Sequence, residues 1–500
     1  MKKIILIILT ITIITNVFAQ KQDELPTLTK QQMLEDFNYL YEVIKDANPQ
    51  LTFRKKVTGV DILENIKSLY SELDTITQFE YFYLLVEKAL NLCHDMHYST
   101  AIPWETQKDI DEEIIALNRK YDKLISEKIW SRGPLSVLKY YNGNYYFFTK
   151  VMNSCDDNKK EYIEVGSQLI ELGGMPIDDY VAKINPYLVH TTVYDRELKK
   201  FFTIRPVLLE NTDIRGIVKD IDGKLIQMRG CLGYSNIGKA IMTPQVQYFT
   251  DTKVLYIRIP GMDTELIDYF KEEIPKIAKD KEINKTIIDV RVNGGGSDFV
   301  WHNVLSNIIK DTVKAQQRIL LRNTPIVLQY LKENKNVNVD TVPIVKVPCL
   351  DNEEFIDYSL IDDDPILTIS PSENSIKYSG KIFLLVDEWS FSSTLNFLEV
   401  ATLNPDKFVT IGEYGGYKGG QGGSPFLFAL PNSKITFRID AMIDYNNVEK
   451  AEDFFHGEIM YPVKVTVNEY HNWRMLNEDK YDKEFLYNKD PMFKKVLELK

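Results

Sequence analysis

The stretch "DEWSFSSTLNF", residues 387–397, places three serines between an apolar run and a helical pattern. The preceding "KIFLLV" predicts a buried strand, and "STLNFLEVATL" predicts a helix that begins directly at the serines. A side chain at such a turn lies at the carboxyl edge of a sheet, where open α/β folds place their sites, and the helix N-terminus favours an oxyanion. One of Ser390, Ser392 and Ser393 is therefore a candidate nucleophile. Helix capping by Ser390 or Ser392 is the alternative.

A second stretch, "IIDVRVNGGGSDF", carries three consecutive glycines shortly after a predicted strand. The strand ends at Arg291, and the glycines are residues 294–296. Glycines beyond a strand allow backbone N–H groups to turn toward a ligand without obstruction by side chains. The stretch is consistent with an anion-binding loop and equally with an ordinary tight turn between a strand and a helix.

A third stretch, "IGEYGGYKGGQGGSP", surrounds a single lysine, Lys418, with seven glycines. Backbone that carries few side chains can hold an ammonium group in a desolvated cleft, which lowers the pKa of a lysine as a general base requires. The alternative is a surface loop whose lysine is solvated.

Four residues of metal-ligating type cluster in "LNLCHDMHYST", namely Cys93, His94, Asp95 and His97. Ligands so close in sequence cannot all converge on one tetrahedral ion, and no second ligand group at zinc-like spacing occurs elsewhere. We therefore expect no metal site. Nothing in the sequence indicates a cofactor.

The overall charge excludes one class of partner. The formal net charge is -12 over 500 residues, and no block rich in Lys and Arg stands out. Because phosphate binding needs a basic surface, a nucleic-acid partner is not expected.

The first 19 residues have the order of a secretory signal peptide. Lys2 and Lys3 precede an apolar run that ends near small residue Ala19, and this run is short for a membrane span. We expect export to the periplasm or the medium without stable membrane insertion, and an uncleaved anchor helix is the alternative. Cysteine is absent from the expected cleavage point, so a lipid anchor is not indicated.

The four cysteines, Cys93, Cys155, Cys231 and Cys349, are scattered singly along the chain. They do not form a disulfide scaffold pattern, and three pairings are possible. We interpret them as small buried apolar residues.

The pattern of apolar residues changes twice along the chain. Residues 28–92 show helical periodicity, as in "QQMLEDFNYLYEVIKDANP", with Pro49 at the end of the first helix. Residues 135–247 change to short alternating strands, including a hairpin at an Asn-Gly turn. From Lys253 onward, apolar strands alternate with amphipathic helices, which predicts a βαβ arrangement and a largely parallel sheet. Residues 310–380 interrupt this rhythm and are interpreted as a partly irregular insertion with a solvated acidic end.

The three glycine- and serine-bearing stretches together resemble one enzyme family. In order, they read strand and Arg-x-Asn-x-Gly-Gly, strand and Ser-x-Ser, and a glycine-rich loop with a lysine and a glutamine. This order is similar to the C-terminal processing, or tail-specific, peptidases of serine peptidase family S41. The resemblance implies an α/β multidomain fold with a helical N-terminal cap, a PDZ-like β-rich module and a βαβ protease core of the ClpP/crotonase-like type. The implied limits are 1–19 for the signal peptide, 28–125 for the cap, 130–247 for the PDZ-like module, 250–470 for the core and 471–500 for a C-terminal tail.

The resemblance also implies roles for individual residues. Ser392 lies at the position of the nucleophile, and Lys418 lies about where the family has its general base. Gly295 and Gly296 match the paired glycines whose backbone, together with the N–H of Ser393, resembles the family's oxyanion hole.

Three departures from the family pattern keep a second base open. Leu395 replaces the usual Glu, Gly294 replaces the usual Pro, and the glycine-rich loop also resembles a branch of the family without an obligatory lysine. That branch has a histidine after the cap, and His97 with Asp95 fits its Asp-x-His position.

The acidic partner that such a histidine needs is not at its usual place in this sequence. Near the C-terminus its place is taken by Phe454, with Asp453 adjacent.

The sequence thus predicts an exported serine endopeptidase that cleaves unfolded or C-terminal segments of polypeptides. Ser392 is the nucleophile, Lys418 the favoured base and His97 the alternative base. A non-catalytic homologue that binds an extended peptide along a strand edge is the competing hypothesis. The sequence does not indicate an oligomeric state.

Overall fold

The structure is a computed structural model that describes most of the chain. The residues it describes are 25–102, 110–129, 137–153, 161–184, 192–204, 215–229, 232–234, 243–361, 366–413, 423, 425–455, 458–475 and 479–499. The predicted signal peptide, Cys155, Cys231 and Lys418 lie outside these residues. Among the described residues, every helix is too short or too polar to cross a bilayer.

The N-terminal region is helical, as its periodicity predicts. Its helices are α1 (Lys30–Ala47), α2 (Leu51–Thr58), α3 (Ile62–Ser68), α4 (Tyr70–Leu73), α5 (Phe79–Asn91) and α6 (Glu112–Ile129). The apolar stripe of α1 is buried, with Phe37, Leu40 and Ile44 fully inaccessible to solvent. Thr29 caps α1 in a capping box, and α1 ends just before Pro49, which cannot continue a helix.

The next region is rich in strands. Its elements are β1 (Leu138–Tyr141), β2 (Asn144–Phe147), β3 (Val151–Asn153), β4 (Tyr162–Ile163), β5 (Gln168–Leu172), β6 (Met175–Pro176), α7 (Ile177–Ile184), β7 (Thr192–Asp195), β8 (Lys200–Thr203), β9 (Arg215–Lys219), β10 (Leu225–Arg229) and β11 (Leu232–Tyr234). The largest sheet has the order β1-β2-β5-β9-β10, with β6 on β5. The predicted hairpin turn joins β1 to β2, and both Asn142 and Gly143 have positive φ, as a tight two-residue turn requires. The PDZ-like assignment of this region stays a prediction.

The rest of the chain alternates strands and helices. Its elements are β12 (Gln245–Phe249), β13 (Val254–Arg258), α8 (Leu266–Ala278), β14 (Lys285–Asp289), α9 (Phe299–Ile308), β15 (Val313–Gln316), β16 (Ile319–Arg322), α10 (Pro325–Asn334), β17 (Ile344–Val347), β18 (Glu353–Asp357), β19 (Ile366–Ile369), β20 (Ile382–Val386), α11 (Ser393–Leu403), β21 (Phe408–Gly412), β22 (Phe426–Ala429), β23 (Thr436–Ile439), β24 (Met442–Asp444), β25 (Tyr461–Pro462), α12 (Val467–Met475), α13 (Lys483–Asn488) and α14 (Pro491–Glu498).

The predicted parallel sheet is present. Its order is β12-β13-β14-β20-β21-β25, and every neighbouring pair except β12 with β13 is parallel. Helices α8, α9 and α11 cover one face through a core that includes Trp301 and Phe397, whose rings stack. The strands β13, β14 and β20 are almost wholly buried, as expected for a parallel sheet covered on both faces.

The C-terminal segment covers the other face of this sheet. Phe485, Phe493 and neighbouring apolar residues of α13 and α14 are buried, and most of them join a core with Tyr256 and Leu385 of the strands. The segment that the sequence predicted as a tail is therefore part of the folded core.

Residues 310–380 are more regular than their sequence indicates. They hold α10 and five of the strands, and β17-β18-β16-β24 form an antiparallel sheet. In the acidic stretch, Phe355 and Ile356 of β18 are fully buried, whereas Asp351 and Glu354 are exposed and residues 362–364 lie outside the described residues. The alternation of a strand was not evident from the sequence, because carboxylate side chains lie on both faces of β18.

One core joins the N-terminal helices to a distant part of the chain. It contains apolar residues of α1 and α5 together with Phe426, Phe437 and Ile439 of β22 and β23. The loop that follows α5 is consequently held close to β23, although the two are far apart in sequence.

Candidate active site

Ser392 lies at the turn between β20 and α11. Its backbone has φ 54° and ψ −125°, a conformation that non-glycine residues rarely adopt. Such a turn projects the serine side chain out of the sheet edge, as in the nucleophile turn of other hydrolases. The side chain does not cap α11, since it makes no capping hydrogen bond. The capping alternative is therefore wrong for Ser392.

The other two serines of this turn are buried. The Ser390 hydroxyl accepts a hydrogen bond from the Asp387 backbone N–H at 3.1 Å and lies 3.4 Å from the Val290 carbonyl oxygen, so it holds the turn together. Ser393 is 2% exposed. Of the three serines, only the Ser392 hydroxyl is described in contact with a histidine.

Asn293 links the glycine stretch to the serine turn. Its buried side-chain amide donates to the Ile259 carbonyl at 3.0 Å and accepts from the Gly295 N–H at 2.9 Å. Its carbonyl oxygen accepts from the Phe391 N–H at 3.2 Å and from the Thr394 hydroxyl at 3.1 Å. The end of β14 and the end of β20 are thus fixed to one another directly beside Ser392.

Gly295 packs directly against the serine. A Cβ atom at Gly295 would lie 2.7 Å from both the Phe391 carbonyl oxygen and the Ser392 Cβ, closer than real Cβ contacts allow. Its φ of +98° also excludes most other residues. The glycine is required because the two strands' ends approach so closely.

Of the three amides that the resemblance implied for an oxyanion hole, one is engaged. The Gly295 N–H donates to Asn293, as described above. Within the described part of the chain, no acceptor is found for the N–H of Gly296 or Ser393.

His97 faces Ser392 from the loop after α5. Its Nε2 atom lies 3.2 Å from the Ser392 Oγ, and its ring meets the Phe391 ring edge to face with 4.8 Å between centroids. The imidazole is buried, with 7% of the residue exposed. A buried histidine next to a serine hydroxyl can accept its proton and return it later.

Asp440 lies on the other side of the imidazole. Its Oδ2 is 3.4 Å from His97 Nδ1, and the Asp440 side chain is almost wholly buried. A carboxylate in this position selects the tautomer whose Nε2 faces the serine and stabilises the imidazolium when it forms. The contact is long for a hydrogen bond, as is common before substrate binds.

A single antiparallel bridge brings His97 and Asp440 together. Ser99 pairs with Arg438, whose N–H donates to the Ser99 carbonyl at 2.9 Å and whose guanidinium donates to the Ser99 hydroxyl at 2.8 Å. In an antiparallel pair, residues two before one partner and two after the other lie opposite each other. The residue two before Ser99 is His97, and the residue two after Arg438 is Asp440.

Asp440 was not found from the sequence. The sequence analysis placed the displaced acidic partner near Phe454 and Asp453. Phe454 instead stacks on Phe53 in a hydrophobic core, and Asp453 accepts hydrogen bonds from the N–H groups of Glu449 and Lys450. Finding Asp440 requires the pairing of residues 99 and 438, for which the sequence carries no local signal.

Lys418, the favoured base in the sequence analysis, lies outside the described residues. The residue that leads into its loop, Glu413, is described: its carboxylate and that of Glu388 both accept from the buried Lys139 ammonium, at 2.8 and 2.7 Å. Burial opposes the charge of Lys139, but the two carboxylates raise its pKa overall. Lys139 is therefore held as a cation and does not fit the role of a base.

The other residues of the "CHDMH" stretch have different surroundings. Cys93 is buried in the helical core, and His94 stacks on Phe201 with burial lowering its pKa to about 3. Asp95, His97 and Asp440 do offer ligand atoms within 4.8 Å of one another. The His97 nitrogens face Asp440 and Ser392, an arrangement that suits proton transfer.

Comparison with known proteins bears on the family of the chain. Residues 253–452 match the model of peptidase family S41. No curated protein matches the chain in sequence.

Three solved structures share its fold. The crystal structure of mature CPAF is 16% identical with a TM-score of 0.53 over 88% of this chain and 94% of that chain. A point mutant of CPAF gives 14% and 0.56 over 94% and 98%, and mature CPAF complexed with lactacystin gives 16% and 0.51 over 88% and 95%. The family match confirms the resemblance to family S41, and together with the fold it supports a protease function.

Proposed function

We propose that this chain is a serine endopeptidase that acts through Ser392, His97 and Asp440, in keeping with the match of residues 253–452 to the model of peptidase family S41. The observation that carries the proposal is the line of contacts from Ser392 Oγ to His97 Nε2 at 3.2 Å and from His97 Nδ1 to Asp440 at 3.4 Å. This assignment replaces Lys418 with His97 as the preferred base.

The proposed reaction has two halves. Ser392 Oγ attacks the carbonyl carbon of a peptide bond while His97 Nε2 takes its proton, and the imidazolium then protonates the leaving amine. Water attacks the resulting acyl-enzyme with His97 again as base, which releases the acid and regenerates Ser392. Asp440 holds the imidazole in orientation and offsets its positive charge.

The tetrahedral intermediate carries a negative charge on the former carbonyl oxygen. We assign its stabilisation to the N–H groups of Gly296 and Ser393, with Gly295 providing the space that lets the glycine stretch approach Ser392. Loss of one donor of this kind typically costs about 100- to 1000-fold in rate. The N-terminus of α11 adds a favourable potential.

The substrate is proposed to be a polypeptide in an extended form, either an unfolded segment or a C-terminus. The signal-peptide pattern of residues 1–19 supports a site of action in the periplasm or outside the cell. The proposed PDZ-like module supplies a strand edge for such a peptide.

Labelling with a fluorophosphonate probe tests the proposal, because only an activated serine reacts. The wild-type protein and the Ser390→Ala variant are expected to be labelled, whereas Ser392→Ala is expected to lose both labelling and hydrolysis of an unfolded protein substrate with little change in Tm. An unlabelled wild type that still binds peptides would favour the non-catalytic homologue. Labelling that survives Ser392→Ala would show that another serine is the nucleophile.

A further inference from the structure

Behind His97, a chain of buried polar side chains runs into the N-terminal helices. The backbone N–H of His97 donates to Asp95 Oδ1 at 2.8 Å, and the Gln50 side-chain amide donates to Asp95 Oδ2. The Gln50 Oε1 in turn accepts from Arg54 Nε at 2.8 Å. None of these residues was part of the chemistry assigned above.

The same network of side chains also holds the other end of the loop 94–97. Arg54 Nη2 donates to the carbonyl oxygen of His94 at 2.7 Å. The loop 94–97 is therefore fixed at its first residue through Arg54 and at its last through Asp95.

The burial of this chain is unusual for polar residues. Gln50 and Arg54 are each 1% exposed, and Asp95 is 6% exposed. Burying ionised groups costs several kcal/mol each unless other groups compensate them, and replacing such groups by apolar side chains often leaves a protein as stable or more so. Stability alone therefore does not account for this network. A functional reason is suggested by the residue at its end, His97.

We propose that Gln50, Arg54 and Asp95 are positioning residues that fix the loop 94–97 and thereby aim the His97 imidazole at Ser392. The inference rests on the proposed function, since it assigns these residues to the orientation of its general base. It also explains why the base lies on the helical region and not on the parallel sheet: α2 supplies Arg54, and its N-cap residue is Gln50.

This network of side chains also affects the charge around the imidazole. Burial and the neighbouring Asp440 raise the pKa of Asp95, His97 and Arg54 oppose the rise, and the resulting pKa is about 6. The titratable and charged groups that face this carboxylate are Asp440, His97, Arg54, Cys93 and Tyr98. An ionised Asp95 adds a second negative charge, besides that of Asp440, near the imidazolium. Arg54 places a positive charge farther from the imidazole, at the other end of the side-chain network.

The first experiment removes the hydrogen bonds that Gln50 makes to Asp95 and Arg54. Gln50→Leu deletes both the donor to Asp95 and the acceptor for Arg54, and a shift of the imidazole is expected to lower kcat about 10- to 100-fold with little change in KM. Gln78→Leu is the matched control, because Gln78 is also the N-cap residue of a helix, makes no capping side-chain hydrogen bond and is exposed. Wild-type kcat in Gln50→Leu would overturn the proposal.

The second experiment separates positioning from folding. Gln50→Glu alone sets two carboxylates against each other, and Asp95→Asn alone sets two amide donors against each other. The double variant Gln50→Glu/Asp95→Asn restores a donor–acceptor pair with the same number of charges. Its kcat is expected to recover to within about 5-fold of wild type, with the acid limb of the kcat/KM profile moved to lower pH because the negative charge lies farther from His97.

A double variant as impaired as the single variants, while its Tm equals that of the wild type, would overturn the positioning role. This failure differs from failure of the proposed function: a fully active Ser392→Ala protein would refute the function, whereas an inactive Ser392→Ala protein beside a fully active Gln50→Leu protein would refute only the positioning role.

Discussion

The serine side of the site is built at the carboxyl edge of one parallel sheet, whereas the histidine side depends on a bridge between Ser99 and Arg438, 339 residues apart. On the serine side, β14 and β20 are adjacent strands, and Asn293 joins their ends by accepting two hydrogen bonds, from the Phe391 N–H and the Thr394 hydroxyl. On the histidine side, the orientation depends on the bridge and on the buried Gln50 and Arg54.

The difference shows how one site can have a rigid half and a half that depends on docking. The serine turn directly follows β20, whose neighbours in the sheet are β14 and β21. His97 reaches the site only when the N-terminal helices share their core with β22 and β23. Variants should therefore affect the two halves differently.

The largest effect is expected for the base itself. His97→Ala is expected to lower kcat/KM by at least about 1000-fold because no other described group faces Ser392 Oγ to take its proton. Lys418→Ala is the matched comparison and is expected to keep most of the activity. Rates of peptide hydrolysis with both purified variants decide between the two bases.

The pH dependence of the activity is a second test of whether His97 or Lys418 is the base. A histidine base produces an acid limb in the kcat/KM profile at about pH 6–7, whereas a lysine base produces activity that rises toward alkaline pH. An inactive Lys418→Ala variant together with an alkaline profile would restore the Ser/Lys dyad.

A smaller loss is expected when the partner of the imidazole is changed. Asp440→Asn keeps the shape of the side chain but favours the wrong tautomer of His97, so kcat is expected to fall about 100- to 10,000-fold. Asp453→Asn is the control, because Asp453 accepts hydrogen bonds from backbone N–H groups away from the imidazole. Equal activity of Asp440→Asn and the wild type would mean that the 3.4 Å contact has no role in the reaction.

A change on the serine side tests the rigid half. Gly295→Ala introduces a Cβ atom 2.7 Å from Ser392 Cβ, which must displace the serine turn or the glycine stretch. Activity is expected to fall about 10- to 100-fold, by analogy with other misplaced reacting groups. Gly294→Ala is the matched control, since a Cβ atom there meets no atom within 4 Å. If both variants lose activity equally, the close approach is not the cause.

The smallest effect concerns stability on the histidine side. Glu87 of α5 accepts a hydrogen bond from Thr100, and its burial raises its pKa from 4.5 to about 7. The folded protein therefore binds a proton more tightly than the unfolded chain, so the free energy of unfolding falls as pH rises from 4.5 through 7.

Replacing this residue removes that dependence. Glu87→Gln is expected to flatten the decline by roughly 1–3 kcal/mol between pH 4.5 and 8, measured by denaturant unfolding at each pH. Glu80→Gln, in the first turn of the same helix, is the control. An unchanged pH dependence in Glu87→Gln would place the source elsewhere.

Much of the fold follows from local patterns in the sequence. The apolar stripe of α1 and the alternation of β13, α8, β14 and α9 follow from the spacing of apolar residues, and the β1–β2 hairpin follows from its Asn-Gly turn. The order of the strand ends also places Ser392 beside the glycine stretch. The acidic stretch that includes β18 was misread because carboxylates on both of its faces conceal the alternation.

The amino-acid sequence by itself determined the serine turn, the glycine stretch and His97 as a candidate base, because each is marked by residue types within a few positions. Only the tertiary structure decided that His97 faces Ser392 and that Asp440 lies behind it. That contact arises from the burial of apolar residues of α1, α5, β22 and β23 in one core, which aligns residues 99 and 438. A pairing produced by the sum of many distant apolar contacts has no short motif, since no single residue near Asp440 specifies it.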